Sequence, residues 1–215
     1  MRGLYLVTDR TLCGHRTVDE VVFMALQGGA ACIQLREKNV STRVFVEEAK
    51  RIKAMMAPFR ASLIINDRID VALAVGADGV HVGQSDMPYE IARKLLGPRA
   101  IIGLSVETWE DVERARTLDV DYLGVSPVFM TPTKTDTKDH WGLEGLNRIR
   151  AATGHPLVAI GGLNASNAKD AIRAGADSIA VVSAICAAPD PRRAALELHD
   201  IIQSALEQKG REHHR

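Results

Sequence analysis

Residues 164–182 read NASNAKDAIRAGADSIAVV: an amphipathic stretch over Asn164–Ala174, a break at Gly175-Ala176-Asp177, and a short apolar run over Ser178–Val182. The first part carries apolar residues at helical spacing, and the last is short, continuous and bounded by a turn, as a strand buried on both faces is. The same order of helix, glycine turn and strand recurs at Gly28-Gly29-Ala30-Ala31 and at Val75-Gly76-Ala77-Asp78. Glycine supplies the left-handed residue past a helix C-terminus, and a small alanine lets the chain turn inward. These glycines are structural and carry no chemistry.

Working outward from that unit, apolar runs predict strands over 3–8, 31–36, 62–65, 79–82, 100–104, 121–125, 157–160 and 178–182. Between them, helical periodicity covers Val18–Leu26, Arg43–Met56, Asp67–Val75, Tyr89–Leu96, Thr108–Leu118, Gly145–Ala152, Asn164–Ala174 and Pro191–Leu206. Apolar strands alternating with helices form a parallel sheet covered by helices. Repetition of the unit through the chain, with no composition break, predicts an α/β fold of one closed (β/α)8 TIM barrel. The expected domain is 1–208, with 209–215 as a charged tail.

Composition narrows the function. Lys plus Arg equals Asp plus Glu, 27 each, so no global field draws in nucleic acid or an anionic membrane. Aromatics make up 4%, too few for base-stacking platforms. Cys13, Cys32 and Cys186 are widely spaced and make neither a disulfide framework nor a zinc pattern. Cys32 and Cys186 lie in apolar runs as small core residues. The chain enters a strand at once, leaving no room for a signal peptide, and no apolar run spans a membrane. A cytoplasmic, soluble protein is expected, with small-molecule partners and a homo-oligomer open.

In a barrel, functional residues sit at the C-terminal ends of the strands. Polar residues collect there: Gln34–Lys38, Asn66-Asp67-Arg68, His81–Asp86, Ser105, Ser126–Lys134, Gly161–Asn164 and Val182-Ser183. Arg36, Lys38 and Lys134 are cations, and Asp67 and Asp86 are carboxylates from neighbouring strand ends. Each aspartate alone also reads as a helix cap. Two together beside Arg and Lys suit Mg²⁺, which takes few protein carboxylates and fills its shell with water and phosphate oxygens. Thr131, Thr133 and Lys134, braced by Pro127 and Pro132, suit a phosphate or diphosphate. Gly161, Gly162 and Ser183 suggest a second anion site. The 126–141 connection is long enough for a lid. His81 reads as a packed strand histidine or a general base. No Ser-His-Asp or Cys-His arrangement is apparent.

With these blocks in this order, from Leu4–Asp9 to Val181–Ile185, the chain resembles the thiamine-phosphate synthase family. The most specific blocks are Gln34–Lys38, Asn66-Asp67, Gly83–Asp86, Thr131–Lys134 and Ile160–Gly162; Ser85 stands where many members carry Glu. The resemblance implies a transferase that couples a pyrimidine methyl diphosphate to a thiazole ethyl phosphate, releasing diphosphate with Mg²⁺. It implies Asp67 and Asp86 as metal ligands. Arg36, Lys38, Asn66, Ser105 and Lys134 would hold the pyrimidine diphosphate, within a substrate-binding set that also takes in Gln34, Leu35 and Glu37. Thr131, Thr133, Gly162, Val182 and Ser183 would hold the thiazole phosphate, and Pro132 belongs to the substrate-binding set. A thiazole tautomerase of the same superfamily would lack the paired aspartates and the Thr-Pro-Thr-Lys loop, and both are present here.

Overall fold

A computed structural model describes residues 2–131 and 140–212. Its strands are β1 Gly3–Val7, β2 Cys32–Leu35, β3 Ser62–Asn66, β4 Gly79–Val82, β5 Ile101–Val106, β6 Tyr122–Val125, β7 Leu157–Ile160 and β8 Ser178–Val181. They pair in parallel in chain order, and β8 closes on β1 to complete a barrel. The outer helices are α1 Val18–Gln27, α2 Thr42–Met56, α3 Ile69–Val75, α4 Tyr89–Leu96, α5 Trp109–Ala115, α6 Gly142–Ala152 and α7 Ala168–Arg173. A four-residue α8, Ser183–Cys186, and a long α9, Pro191–Glu212, complete the layer. The fold is the (β/α)8 barrel expected from the sequence.

Strand alternation makes two cores. Leu4, Leu6, Ile33, Leu35, Leu63 and Ile65 point outward and pack with the helices, while Tyr5, Val7, Cys32, Ile64, Tyr122, Val158 and Ala180 point into the barrel. The helices are anchored locally. Thr17 and Glu20 form a capping box on α1, and Thr108 and Asp111 form another on α5. Cys13, Cys32 and Cys186 are all buried free thiols.

The aspartates of the recurring turn have a task that their sequence context does not announce. Asp78 accepts from Leu63 N–H at 2.7 Å and Asp177 from Leu157 N–H at 2.9 Å. Asp121, before β6, does the same for Ile102 N–H at 2.8 Å. Each carboxylate therefore ties the start of the preceding strand to the next, at the N-terminal face of the barrel.

Several segments differ from their sequence reading. Helix α7 starts at Ala168 rather than at residue 164, because Asn164, Ser166 and Asn167 bond one another instead: Asn167 Oδ1 accepts from Asn164 N–H at 2.9 Å, and Asn164 Oδ1 from Ser166 N–H at 2.9 Å. Helix α3 starts at Ile69 rather than Asp67, which has a φ of 61°. The last helix runs on through Glu212, past Leu206 and into the charged segment read as a tail.

Candidate active site

The C-terminal strand ends surround an open cavity of about 800 Å³, floored by barrel-interior side chains and rimmed by the polar loops. Gln34, Arg36, Lys38, Asn66, Asp67, Asp86, Ser105, Thr131, Gly162, Val182 and Ser183, all predicted as site residues, line it. Leu35 and Glu37 do not. Leu35 points outward into the helix-facing core, as its place between Gln34 and Arg36 requires. Glu37 turns away to accept from Arg10 at 3.0 Å. Pro132, Thr133 and Lys134 lie outside the described residues, as does half of the 126–141 connection.

The carboxylate pair is built by backbone geometry. Asp67 is the one non-glycine residue with positive φ among those described. Aspartate tolerates that region better than most residues, and such conformations concentrate at functional sites. Its N–H donates to the His81 carbonyl at 2.8 Å, which holds the β3 end against β4. Lys38 Nζ from β2 donates to Asp67 Oδ2 at 2.6 Å. Asp86 accepts from Gly83 N–H at 2.8 Å in a tight turn after β4. Neither aspartate caps a helix: α3 begins behind Arg68 and α4 behind Pro88, each without a side-chain cap.

Burial, then contact with the Asp67 carboxylate, pushes the Asp86 carboxyl up. Two carboxylates this close repel unless a cation or a proton is shared between them. The donor set is hard oxygen with a neighbouring ammonium, and it fits a small divalent cation that completes its shell with water and ligand oxygens. Among the described residues no three His, Cys, Asp or Glu side chains converge into a metal cage.

Arg36 sits on the same rim, 3.6 Å from Asp9, and its N–H donates to Thr8 Oγ1 at 3.0 Å. Asn66 and Gln34 are buried at the strand ends below it. Across the cavity, the segment after β6 is laced to β7: Val128 N–H donates to Ile160 O at 2.8 Å and Phe129 N–H to Gly161 O at 3.0 Å. A Cβ on Gly161 would lie 2.6 Å from Pro127, and one on Gly162 would lie 2.8 Å from Phe129. Bare glycines are what allow the two loops to touch, and Thr131, Gly162 and Ser183 all line the cavity.

Sequence reasoning missed the two tyrosines of the floor. Tyr5 and Tyr122 lie in apolar runs and read as core, yet their hydroxyls meet at 2.8 Å beneath the cavity. His81 stacks on Tyr122, with ring centroids 5.5 Å apart. Gln84 Nε2 also donates to the Ser105 carbonyl at 2.6 Å. Strand pairing brings these groups together from positions far apart in the chain, and only a parity count along each strand hints that they face inward.

Residues 4–185 match the family model described as thiamine monophosphate synthase. The chain is 59% identical over 201 residues to the thiamine-phosphate synthase of Albidiferax ferrireducens, covering 94% of this chain and 92% of that one. It is 53% identical over 204 residues to the thiamine-phosphate synthase of Leptospira biflexa, covering 93% and 97%. A solved thiamine phosphate pyrophosphorylase from Pyrococcus furiosus superposes with a TM-score of 0.88 at 43% identity, covering 95% of this chain and 96% of that one.

Proposed function

From the premise that this chain belongs to the thiamine-phosphate synthase family and is a transferase, we propose that it couples an aminopyrimidine methyl diphosphate to a thiazole ethyl phosphate, or to its carboxylated form, releasing diphosphate and, from the carboxylated form, carbon dioxide. The observation that carries this reading is the two-sided cavity. Cations and paired carboxylates from β2, β3 and β4 face a glycine-rich wall from β7 and β8.

On the charged side, Arg36, Lys38, Asn66 and Ser105 hold the diphosphate; the family resemblance adds Lys134, which lies outside the described residues. Asp67 and Asp86 would hold Mg²⁺, which when bound neutralises charge on the diphosphate oxygens. On the opposite wall, Thr131, Ser183 and the backbone N–H groups at Gly162 and Val182 hold the thiazole phosphate; the family resemblance adds Pro132 and Thr133, which lie outside the described residues. Gln34, buried on the floor, orients the pyrimidine ring.

The bond from the pyrimidine methylene carbon to the diphosphate oxygen breaks, and its electron pair leaves with diphosphate. The aminopyrimidine ring delocalises the positive charge left on carbon, and the thiazole nitrogen lone pair forms the new carbon–nitrogen bond. That nitrogen bears no proton, so the step needs no protein nucleophile and no strong base. The residues hold the leaving charge and align the two rings; alignment alone is worth about 7–11 kcal/mol in favourable cases. We place the enzyme in the cytosol, where its three buried thiols stay reduced.

The test is diphosphate release by the purified protein, with both substrates, in Mg²⁺ and in EDTA. Release that needs both substrates and metal, with thiamine phosphate formed in equal amount, supports the reading. Binding of thiazole phosphate without any release overturns it.

A further inference from the structure

Beneath the charged rim, five side chains from five strands form one continuous hydrogen-bond chain. Gln34 Nε2 on β2 donates to Tyr5 OH on β1 at 2.8 Å. Tyr5 OH meets Tyr122 OH on β6 at 2.8 Å, and Tyr122 OH meets His81 Nδ1 on β4 at 3.0 Å. His81 Nε2 then meets Ser105 Oγ on β5 at 2.8 Å. All five line the cavity.

The barrel makes room for this chain. A Cβ on Gly103 would lie 2.0 Å from the Tyr122 ring, and one on Gly124 would lie 2.7 Å from the His81 ring. No side chain larger than hydrogen fits at either position with the rings in place.

The chain has a direction. An amide nitrogen only donates, so Tyr5 accepts from Gln34 and its own proton is left for Tyr122. Tyr122 accepts that hydrogen bond and donates its own O–H to His81 Nδ1. His81 then carries its ring proton on Nε2 and donates to Ser105 Oγ. Burial pushes both phenols well above their ordinary range, so each hydroxyl keeps its one proton to give. The neighbouring Cys32 thiol, also pushed up by burial, stays neutral and is a weak acceptor beside a hydroxyl.

We propose that Tyr5, Tyr122 and His81 are positioning residues that set the Ser105 hydroxyl as a hydrogen-bond donor into the cavity and leave the Gln34 amide oxygen as an acceptor there. Diphosphate oxygens accept and never donate. A Ser105 that gave its proton to His81 would turn a lone pair toward the leaving group and repel it, whereas one that accepts from His81 donates to the developing charge. The freed Gln34 oxygen in turn suits the amino N–H of an aminopyrimidine. This assignment rests on the synthase reading above and adds the residues that govern the polarity of its floor.

The tautomer of His81 is read from ¹⁵N-resolved imidazole spectra of the full-length protein, the His81 signals being identified by their loss in His81→Gln. The expected result is a proton on Nε2 in the wild type. Tyr122→Phe should release that preference and lower kcat with the pyrimidine diphosphate about tenfold, the size of one hydrogen bond to a charged group. The KM for thiazole phosphate should stay unchanged. His81→Gln, whose amide N–H can still reach Ser105, should retain more turnover than His81→Leu. A wild-type proton on Nδ1, or Tyr122→Phe at wild-type kcat, overturns the assignment. A wild-type protein that makes no thiamine phosphate but carries the proton on Nε2 overturns the synthase reading and leaves the chain standing.

Discussion

Lys38 on the β2 rim reaches over the β3 end and donates to Asp67 Oδ2 at 2.6 Å, while Asp67 stands in a left-handed conformation with φ 61°. The contact joins a cation to one half of the carboxylate pair. Asparagine also tolerates the left-handed region, so Asp67→Asn keeps the backbone and removes the charge. We expect Asp67→Asn and Asp86→Asn to lose Mg²⁺-dependent turnover while the melting temperature moves by only a few degrees, about the shift of a 1 kcal/mol change. Steady-state kinetics across a Mg²⁺ titration, beside a thermal melt, decide it. Wild-type turnover in either variant removes that aspartate from the metal site.

The opposite wall separates binding from chemistry. Thr131, Gly162 and Ser183 line the cavity from the loops after β6, β7 and β8, and the carboxylates line it from the ends of β3 and β4. Thr131→Ala and Ser183→Ala should each raise the KM for thiazole phosphate about tenfold, one contact to a charged group, with little change in kcat. If the KM for the pyrimidine diphosphate rises instead, the two anion sites have been assigned to the wrong sides.

The N-terminal face should behave in the reverse way. Asp177 accepts from Leu157 N–H at 2.9 Å and pairs with Arg150 at 3.2 Å, far from the cavity mouth. Asp177→Ala leaves a strand N–H short of its partner and should cost about 1–3 kcal/mol of stability with both KM values unchanged. Denaturant unfolding and kinetics on the same sample test the separation. A KM shift without a stability loss contradicts it.

Glu48 predicts a pH dependence of stability. Its side chain is 3% exposed and its partner is Arg10 at 2.7 Å. Burial pushes the Glu48 carboxyl up, against the opposing pull of Arg10. A carboxyl raised in the folded state contributes stability that is full below its unfolded pKa, about 4.3, and is lost as pH rises through the folded value. Arg10→Ala removes the compensating cation. The stability deficit of that variant should therefore be largest near neutrality and shrink as pH falls toward the carboxylate range. A deficit that is flat or grows on acidification refutes this account.

The barrel was legible because its signals are local. Each unit repeats apolar runs of strand length, helical periodicity and a glycine turn, and short connections leave parallel closure as the way to bury both faces. The rim was legible for a related reason. Polar residues at the C-terminal ends of strands such as Gln34–Lys38 and Asn66-Asp67 contradict the apolar pattern around them, and that contradiction is visible without coordinates. Where local reading failed, side chains had rewired the backbone: Asn164, Ser166 and Asn167 bond one another and delay α7.

What the sequence determined by itself was the alternation of elements, the closed barrel and the identity of the charged rim, since each follows from residue type and spacing along the chain. Tertiary structure alone decided that Leu35 and Glu37 turn away from the cavity, that Asp67 and Asp86 meet rather than cap helices, and that Tyr5, Tyr122 and His81 link Gln34 to Ser105. Tyr5 and Tyr122 are 117 residues apart. Their meeting depends on closure, twist and the register of eight strands, which bring atoms within hydrogen-bond distance that no spacing along the chain relates.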